Sequence, residues 1–360
     1  MTPHRRSSLI STGVDNFQIT AEGAEKPGSM GLPSHNSTRT NSVKRKPSRS
    51  VDTTDRFKQS LDQVAADTES LLDRLLAVKP VPGELARPVR LLEAMRYASL
   101  GGGKRVRPFL VVETAKLFAV PRRQALMVAA ALECVHCYSL VHDDLPAMDD
   151  DALRRGRPTA HKAFDEATAI LAGDGLLTFA FDILSRPQTH AKPEIRIHLV
   201  SALARAAGVG GMAGGQMLDL AAEGRFANGR GRQLDFRAVK LLQSMKTGAL
   251  LKFACASGAM LGEAPRKARA ALERYGSAVG EAFQVADDLL DIEGDAATVG
   301  KATGKDAAAH KATFLSLLGV DGARKRLKAL IVEAETAITS FGKDGAVLKA
   351  AAHFIANRRS

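Results

Sequence analysis

Glu281-Ala-Phe283-Gln284-Val-Ala-Asp287-Asp288-Leu-Leu-Asp291 carries three aspartates on a stretch that is apolar apart from them, Glu281 and Gln284. Asp287 and Asp291 lie four apart, so a continuous helix sets both on one face, while Asp288 points off that stripe. A second cluster stands upstream, Asp143-Asp144-Leu-Pro146-Ala-Met-Asp149-Asp150-Asp151, again at the end of an apolar, Ala-rich run. Acids this dense repel one another, and burying them unpaired is costly. Divalent cations lying between the clusters remove both penalties. Pro146 interrupts the helical ladder. The helix is therefore expected to end or kink there, letting Asp143 and Asp149 converge on one cation despite their spacing. An all-oxygen donor set suits Mg²⁺, which takes one or two carboxylates, keeps several waters and completes its shell with phosphate oxygens. Zinc would call for His or Cys. The two clusters predict a pair of ligand-bearing helices facing an anionic substrate.

Outward from these clusters the chain reads as helix. From Phe57 onward Leu61, Val64, Leu71, Leu72, Leu75 and Leu76 recur at helical spacing. Similar stripes follow near 89–99, 107–119, 122–145, 164–185, 194–208, 233–260, 265–292 and 321–357. Glycine, proline or asparagine punctuates most joins, as at Gly101-Gly102-Gly103, Arg186-Pro187 and Asn228-Gly229. No alternating strand pattern and no fixed repeat stands out. The expected fold is all-α, an antiparallel helix bundle around a central substrate cavity, spanning residues 57–360. Residues 1–56 are rich in Ser, Thr, Gly, Pro and Asn, carry Lys44-Arg45-Lys46 and Arg49, and read as disordered. A solvated tail or misassigned start, a binding arm and a targeting peptide all fit that composition. Asp15, Glu22 and Glu25 speak against a transit peptide.

Fifty-one basic residues against 39 acidic ones give a net charge of +12. Residues 1–56 hold nine of the bases and five of the acids, or +4, which leaves +8 for the rest. Basic excess suggests nucleic acid or lipid partners. With aromatics at 5% and no Trp, a base-stacking platform has little to work with. A diphosphate substrate accounts for the charge equally well. No run of about 18 uninterrupted apolar residues appears, so no membrane span is expected, nor does the N-terminus resemble a secretory signal. Three cysteines make no disulfide framework, which fits a cytoplasmic protein. Cys134-Val-His136-Cys137 lacks a second pair and reads as small buried side chains rather than a zinc or redox site.

Basic residues stand where a second anion would need them. Gly101-Gly102-Gly103-Lys104-Arg105-Val-Arg107-Pro108 joins a glycine turn to a helix start, an anion cradle. Leu153-Arg154-Arg155-Gly156-Arg157-Pro158 follows the first acidic cluster. Its two adjacent arginines diverge on any backbone and can serve two different diphosphates by bidentate contact. Lys246-Thr247-Gly248, Lys301 and Lys311 add further cations.

With these segments in this order, together with Gly215-Gln216-Met-Leu-Asp219-Leu220, the sequence resembles the trans-isoprenyl (polyprenyl) diphosphate synthases, nearest their bacterial farnesyl-forming branch. The likeness runs from about residue 57 to the end. It implies an all-helical homodimer that uses three Mg²⁺ ions, with Mn²⁺ as a substitute. Asp143, Asp149 and Asp287 would be direct metal ligands, supported by Asp144, Asp288 and Asp291. Arg154, Lys246 and Lys301 would clamp an allylic diphosphate, with Gln284 and Lys311 nearby. Gly103, Lys104, Arg107, His136 and Arg155 would bind isopentenyl diphosphate, with Phe283 beside its carbon chain. The implied reaction condenses isopentenyl diphosphate with dimethylallyl and geranyl diphosphates, giving farnesyl diphosphate and releasing diphosphate. Thr247 and the carbonyls near Lys246 would stabilise the allylic cation.

Tyr138 lies five residues before Asp143, roughly 7.5 Å back along a helix axis. In this family that position, together with the Pro-Ala insertion in the first motif, matches the fifteen-carbon pattern. A geranylgeranyl diphosphate synthase is the alternative with a longer product. A terpene cyclase would not need the second anion site of Lys104, Arg107 and Arg155. From another class, a basic nucleic-acid-binding protein could exploit the net charge, but the acidic clusters would repel nucleic-acid phosphate without metal. No nucleic-acid partner is therefore expected.

Overall fold

The computed structural model describes residues 53–227, 233–298 and 313–357. Helix α1 (Thr53–Leu75) buries Phe57, Leu61, Val64, Thr68 and Leu72, the stripe that the spacing predicts. Helices α2 (Val89–Ser99), α3 (Val106–Lys116) and α4 (Arg122–Asp143) follow. Helix α4 is buried on most of its circumference, and its alanines let α3, α6 (Glu166–Ser185) and α10 (Ala249–Leu261) pack closely around it. Helix α11 (Arg266–Thr298) lies against α10 on one side and α12 (Phe314–Ala337) on another. Helix α13 (Ala346–Ala356) closes against α1 and α11. The two helices bearing the acidic clusters, α4 and α11, are thus both built into the bundle, with α10 touching each.

Several elements depart from the sequence expectation. The stripe at 233–260 is α9 (Phe236–Gln243), a π-helical turn (Ser244–Gly248) and α10, not one helix. The stripe at 321–357 begins earlier, at Phe314, and breaks at a 3₁₀ segment (Thr339–Gly345) before α13. Helix α8 (Met212–Ala222) lies outside every predicted stripe. It buries Met212, Gly215, Leu220 and Ala222 but exposes Met217 and Leu218, which blurs its apolar period. Helix α7 (Pro193–Ala207) and the short α5 (Ala160–Ala163) complete the helices. A two-residue antiparallel ladder, β1 (Leu153–Arg154) with β2 (Arg157–Pro158), is the only strand pairing among the described residues.

Helices α4 and α6 are long and apolar enough to cross a membrane by length and composition, although polar residues interrupt the apolar run in each. Most of the α4 stretch is buried inside the bundle, as in the core helix of a soluble protein. Helix α6 buries one face on α4 and turns Ile170 and Leu171 outward. Cys134, Cys137 and Cys255 are free and buried, and burial pushes the Cys137 thiol up to about 12.

Candidate active site

Helix α4 ends at Asp143, just before Pro146, as the proline predicts. The chain then curls back. The Asp149 amide donates to the Asp143 carbonyl at 2.9 Å and the Asp150 amide to the Leu145 carbonyl at 3.1 Å, with Asp150 in the left-handed region at φ 50°. That curl brings the Asp149 end of the cluster back to Asp143. Burial raises the Asp143 carboxyl to about 6; Lys246 opposes the rise, and Asp149 adds to it. Asp144 is taken up differently. Both its oxygens accept from Arg154 Nε, at 2.7 and 2.9 Å, and Arg154 Nη2 stands 2.6 Å from Oδ1. Arg225, beyond α8, secures the curl from outside by donating to the Ala147 and Met148 carbonyls, the latter at 2.9 Å.

The second wall is linked to the π turn. Thr247 Oγ1 donates to Gln284 Oε1 at 3.3 Å, and Gln284 Nε2 donates to Asp288 Oδ1 at 2.9 Å. The other Asp288 oxygen accepts from the Phe314 amide, the first of α12, at 2.9 Å. The Asp288 side chain is therefore buried among partners rather than on the solvent side. Within the π turn, Lys246 Nζ meets Asp219 Oδ2 of α8 at 2.5 Å. Glycines allow the close approaches: a Cβ on Gly215 would collide with the Lys246 backbone, and one on Gly280 would sit 3.0 Å from Gly248 Cα. A π turn of this kind recurs at functional sites because it opens the regular ladder. Here it carries Lys246 towards Asp143 and Thr247 towards Gln284.

A basic cradle lies on α3 and α4. Arg107 Nη1 is 3.5 Å from His136 Nε2, and its guanidinium lies 5.8 Å from the Phe283 ring centre. Burial, reinforced by the charges of Arg107 and Arg155, holds the His136 imidazole well below its usual range, so it is neutral. Lys104 Nζ lies 5.8 Å over the Phe354 ring. Arg105 turns inward instead, at φ 47°, to Glu133 at 2.5 Å and to the Ser99 carbonyl at 2.6 Å. Arg155 and Gly156 form the two-residue turn of the β1–β2 hairpin, both left-handed at φ 52° and 74°. The two arginines diverge as expected: Arg154 goes to Asp144, while Arg155 Nη1 donates to the Gly102 carbonyl at 2.5 Å. Gly103 sits at φ 116°, a backbone conformation that favours glycine, and the Arg155 guanidinium fills the space a Cβ would take.

The structure thus links Asp149 to Asp143, and Thr247 through Gln284 to Asp288, with the Lys246 charge felt at Asp143; Arg107 stands by His136 and Phe283, and Arg155 by Gly102 and Gly103. Asp287 is half-buried beside Asp288. Asp291 belongs to the α11 backbone beyond the last described side chain, and Lys301 and Lys311 lie outside the described residues. Asp144 accepts from Arg154, and Asp288 from Gln284 and the Phe314 amide, bonds that a metal ion at either carboxylate would have to share or displace. Asp219 and Arg105 stand in segments that the sequence singles out, but their partners Lys246 and Glu133, and the hold of Arg225 on the Ala147 and Met148 carbonyls, appear only in the structure. Among the described residues no three acidic, His or Cys groups encircle a single point. Exposed Asp149 and half-buried Asp143 and Asp287 supply hard carboxylate oxygens, and the raised Asp143 carboxyl wants a counter-charge. That donor set fits Mg²⁺, which draws its remaining ligands from water and phosphate.

The polyprenyl synthetase family profile matches residues 88–344, which include both acidic walls and the cradle. The chain belongs to the polyprenyl synthetase family and is a prenyltransferase. It is 44% identical over 310 residues to the farnesyl diphosphate synthase of Escherichia coli, covering 84% of this chain and 99% of that protein. The farnesyl diphosphate synthase of Geobacillus stearothermophilus is 38% identical over 301 residues, covering 83% and 97%. The solved apo structure of an FPP/GFPP synthase from Zymomonas mobilis superposes with a TM-score of 0.74 at 44% identity, covering 84% of this chain and 99% of that one. Farnesyl diphosphate synthases are Mg²⁺-dependent enzymes of isoprenyl diphosphates. In the present prenyltransferase, Tyr138 packs half-buried against the core, its ring edge-on to His142 with centres 5.6 Å apart. Burial raises its phenol, and the charge of Asp143 adds to the rise, so the hydroxyl senses the acidic wall. His142 Nε2 in turn lies 3.1 Å from the Ile170 carbonyl of α6.

Proposed function

We propose that this prenyltransferase is a Mg²⁺-dependent farnesyl diphosphate synthase that adds isopentenyl diphosphate to dimethylallyl and then geranyl diphosphate. What supports the reading is that the chain carries two charged sets, an acidic one of Asp143, Asp149, Asp287 and Asp288 with Lys246, and a basic one of Lys104, Arg107 and Arg155 with His136. A chain that ionised a single diphosphate would need only the first. Residues 57–360 are the catalytic domain, and helix α1 begins just ahead of that boundary, at Thr53.

Asp143, Asp149 and Asp287 would hold three Mg²⁺ ions, whose chemistry is to neutralise the leaving diphosphate. Lys246 and Arg154, poised on Asp219 and Asp144, add cationic charge where the allylic C–O bond breaks. The cradle holds isopentenyl diphosphate so that its double bond faces the allylic carbon, turning a collision into an oriented attack. Thr247 Oγ1 and the carbonyls of the π turn face the developing cation. The elongated cation then loses a proton, for which the departing diphosphate is the acceptor in reach. Tyr138 floors the hydrocarbon channel and stops growth at fifteen carbons.

Ile170 (44% exposed), Leu171 (57%), Ile197 (61%) and Met217 (56%) on α6, α7 and α8 are apolar surface that packing of a second copy could cover, in a homodimer. Three free thiols agree with a reducing cytoplasm. The test is incubation of purified protein with labelled isopentenyl diphosphate and each short allylic diphosphate, with and without Mg²⁺, followed by chromatography. Farnesyl diphosphate formed only with Mg²⁺ is expected. No elongation of any starter would sink the reading.

A further inference from the structure

Among the acids of helix α11 that neither metal binding nor diphosphate binding uses, Glu281 is held by two other helices. Glu281 lies one turn before Gln284, with its side chain only 8% exposed, and a carboxylate so placed needs compensating charge. Two cations supply it. Arg326 Nε of α12 donates to Oε1 at 2.6 Å, and Lys240 Nζ of α9 stands 3.3 Å from Oε2. Arg326 Nη1 reaches on to Glu333 at 3.0 Å.

The two partners sit on the two elements that reach the site elsewhere. Helix α9 runs directly into the π turn of Lys246 and Thr247, and α12 begins with the Phe314 amide that holds Asp288. Packing by itself does not call for ions here, since a buried ion cluster replaced by apolar groups of similar volume is often no less stable. Ions add direction: each oxygen of one carboxylate fixes a different helix. The junction also opens into a groove of about 670 Å³ lined by Lys240, Ser244, Ser277, Glu281, Glu333 and Thr336, so α9 and α12 have room to shift without the tie.

We propose that Glu281 is a positioning residue whose bonds to Lys240 and Arg326 set the π turn and the start of α12 against α11, keeping Thr247, Gln284 and Asp288 in register for the allylic diphosphate. The inference rests on the proposed synthase activity. In Glu281→Gln, kcat falls by about tenfold and KM for geranyl diphosphate rises at least about threefold. KM for isopentenyl diphosphate stays within about twofold of wild type, because the charged groups of its cradle, Lys104, Arg107 and Arg155, lie on none of the three helices that Glu281 ties together. Lys240→Met cuts one arm only and gives a smaller loss of kcat, which keeps the test informative should Glu281→Gln fold poorly. A triple variant, Glu281→Leu with Lys240→Leu and Arg326→Met, regains thermal stability but not kcat. Wild-type kinetics in Lys240→Met, or wild-type kcat in the triple variant, would overturn the positioning role while leaving the synthase reading standing. Wild-type protein that transfers no prenyl group would overturn both.

Discussion

Replacing Arg105 by Met probes how the isopentenyl cradle is held. The Arg105 side chain is 1% exposed and its partner Glu133 3%, with 2.5 Å between Nη1 and Oε1. Nη2 also satisfies the Ser99 carbonyl at 2.6 Å, and only Nε lacks a partner. Burial is the largest single influence on Arg105 and works to discharge it, yet Glu133, by charge and hydrogen bond, leads the contributions that together raise its pKa. Removing one member of such a pair strands the other charge, which costs about 3–5 kcal/mol. With about 300 ordered residues and an unfolding entropy near 2.1 cal/mol/K per residue, that is a fall in Tm of roughly 5–8 °C. The double variant Arg105→Met/Glu133→Leu removes the stranded charge and should recover more than half of the loss. In both, KM for isopentenyl diphosphate should rise several-fold, since Lys104 and Arg107 flank the lost anchor. Thermal unfolding by circular dichroism and initial-rate kinetics measure both effects. A single variant within about 2 °C of wild type, or a double variant no more stable than the single, would refute the reasoning.

Thr247→Val should leave both KM values within about twofold and cut kcat on the order of tenfold, below the cost of losing a full oxyanion donor; unchanged kcat would remove the hydroxyl from the mechanism. Tyr138→Ala should make a product of twenty carbons or more the main one, read by chromatography of the dephosphorylated alcohols, and an unaltered distribution would reject Tyr138 as the channel floor. His136 is held well below its ordinary 6.5 by burial and by Arg107 and Arg155. As pH falls through that value the unfolded chain takes up a proton that the folded one refuses, so His136 subtracts stability below about pH 6.5 and none above. His136→Asn should therefore flatten the fall in Tm between about pH 7 and pH 5; an unaltered slope would show that the imidazole is not held neutral.

Local pattern made much of this protein legible. The one-per-turn stripe of α1, the helix end before Pro146 and the divergence of Arg154 from Arg155 each follow from backbone geometry within a few residues. Helix α8 escaped because its exposed Met217 and Leu218 blur the apolar period, and the π turn because a one-residue widening leaves no mark on a hydrophobic stripe. What tertiary structure alone decided is pairing. Asp144 with Arg154 and Asp288 with the Phe314 amide could not be read from charge spacing, because carboxylates one residue apart look alike until the fold supplies a donor. Lys246 with Asp219, Arg225 with the Asp143–Asp149 curl, and Glu281 between Lys240 and Arg326 join positions 27 to 78 residues apart. Periodicity is a property of neighbours along the chain. Which acid accepts from an arginine and which from a backbone amide is settled by segments that meet only once the core has formed.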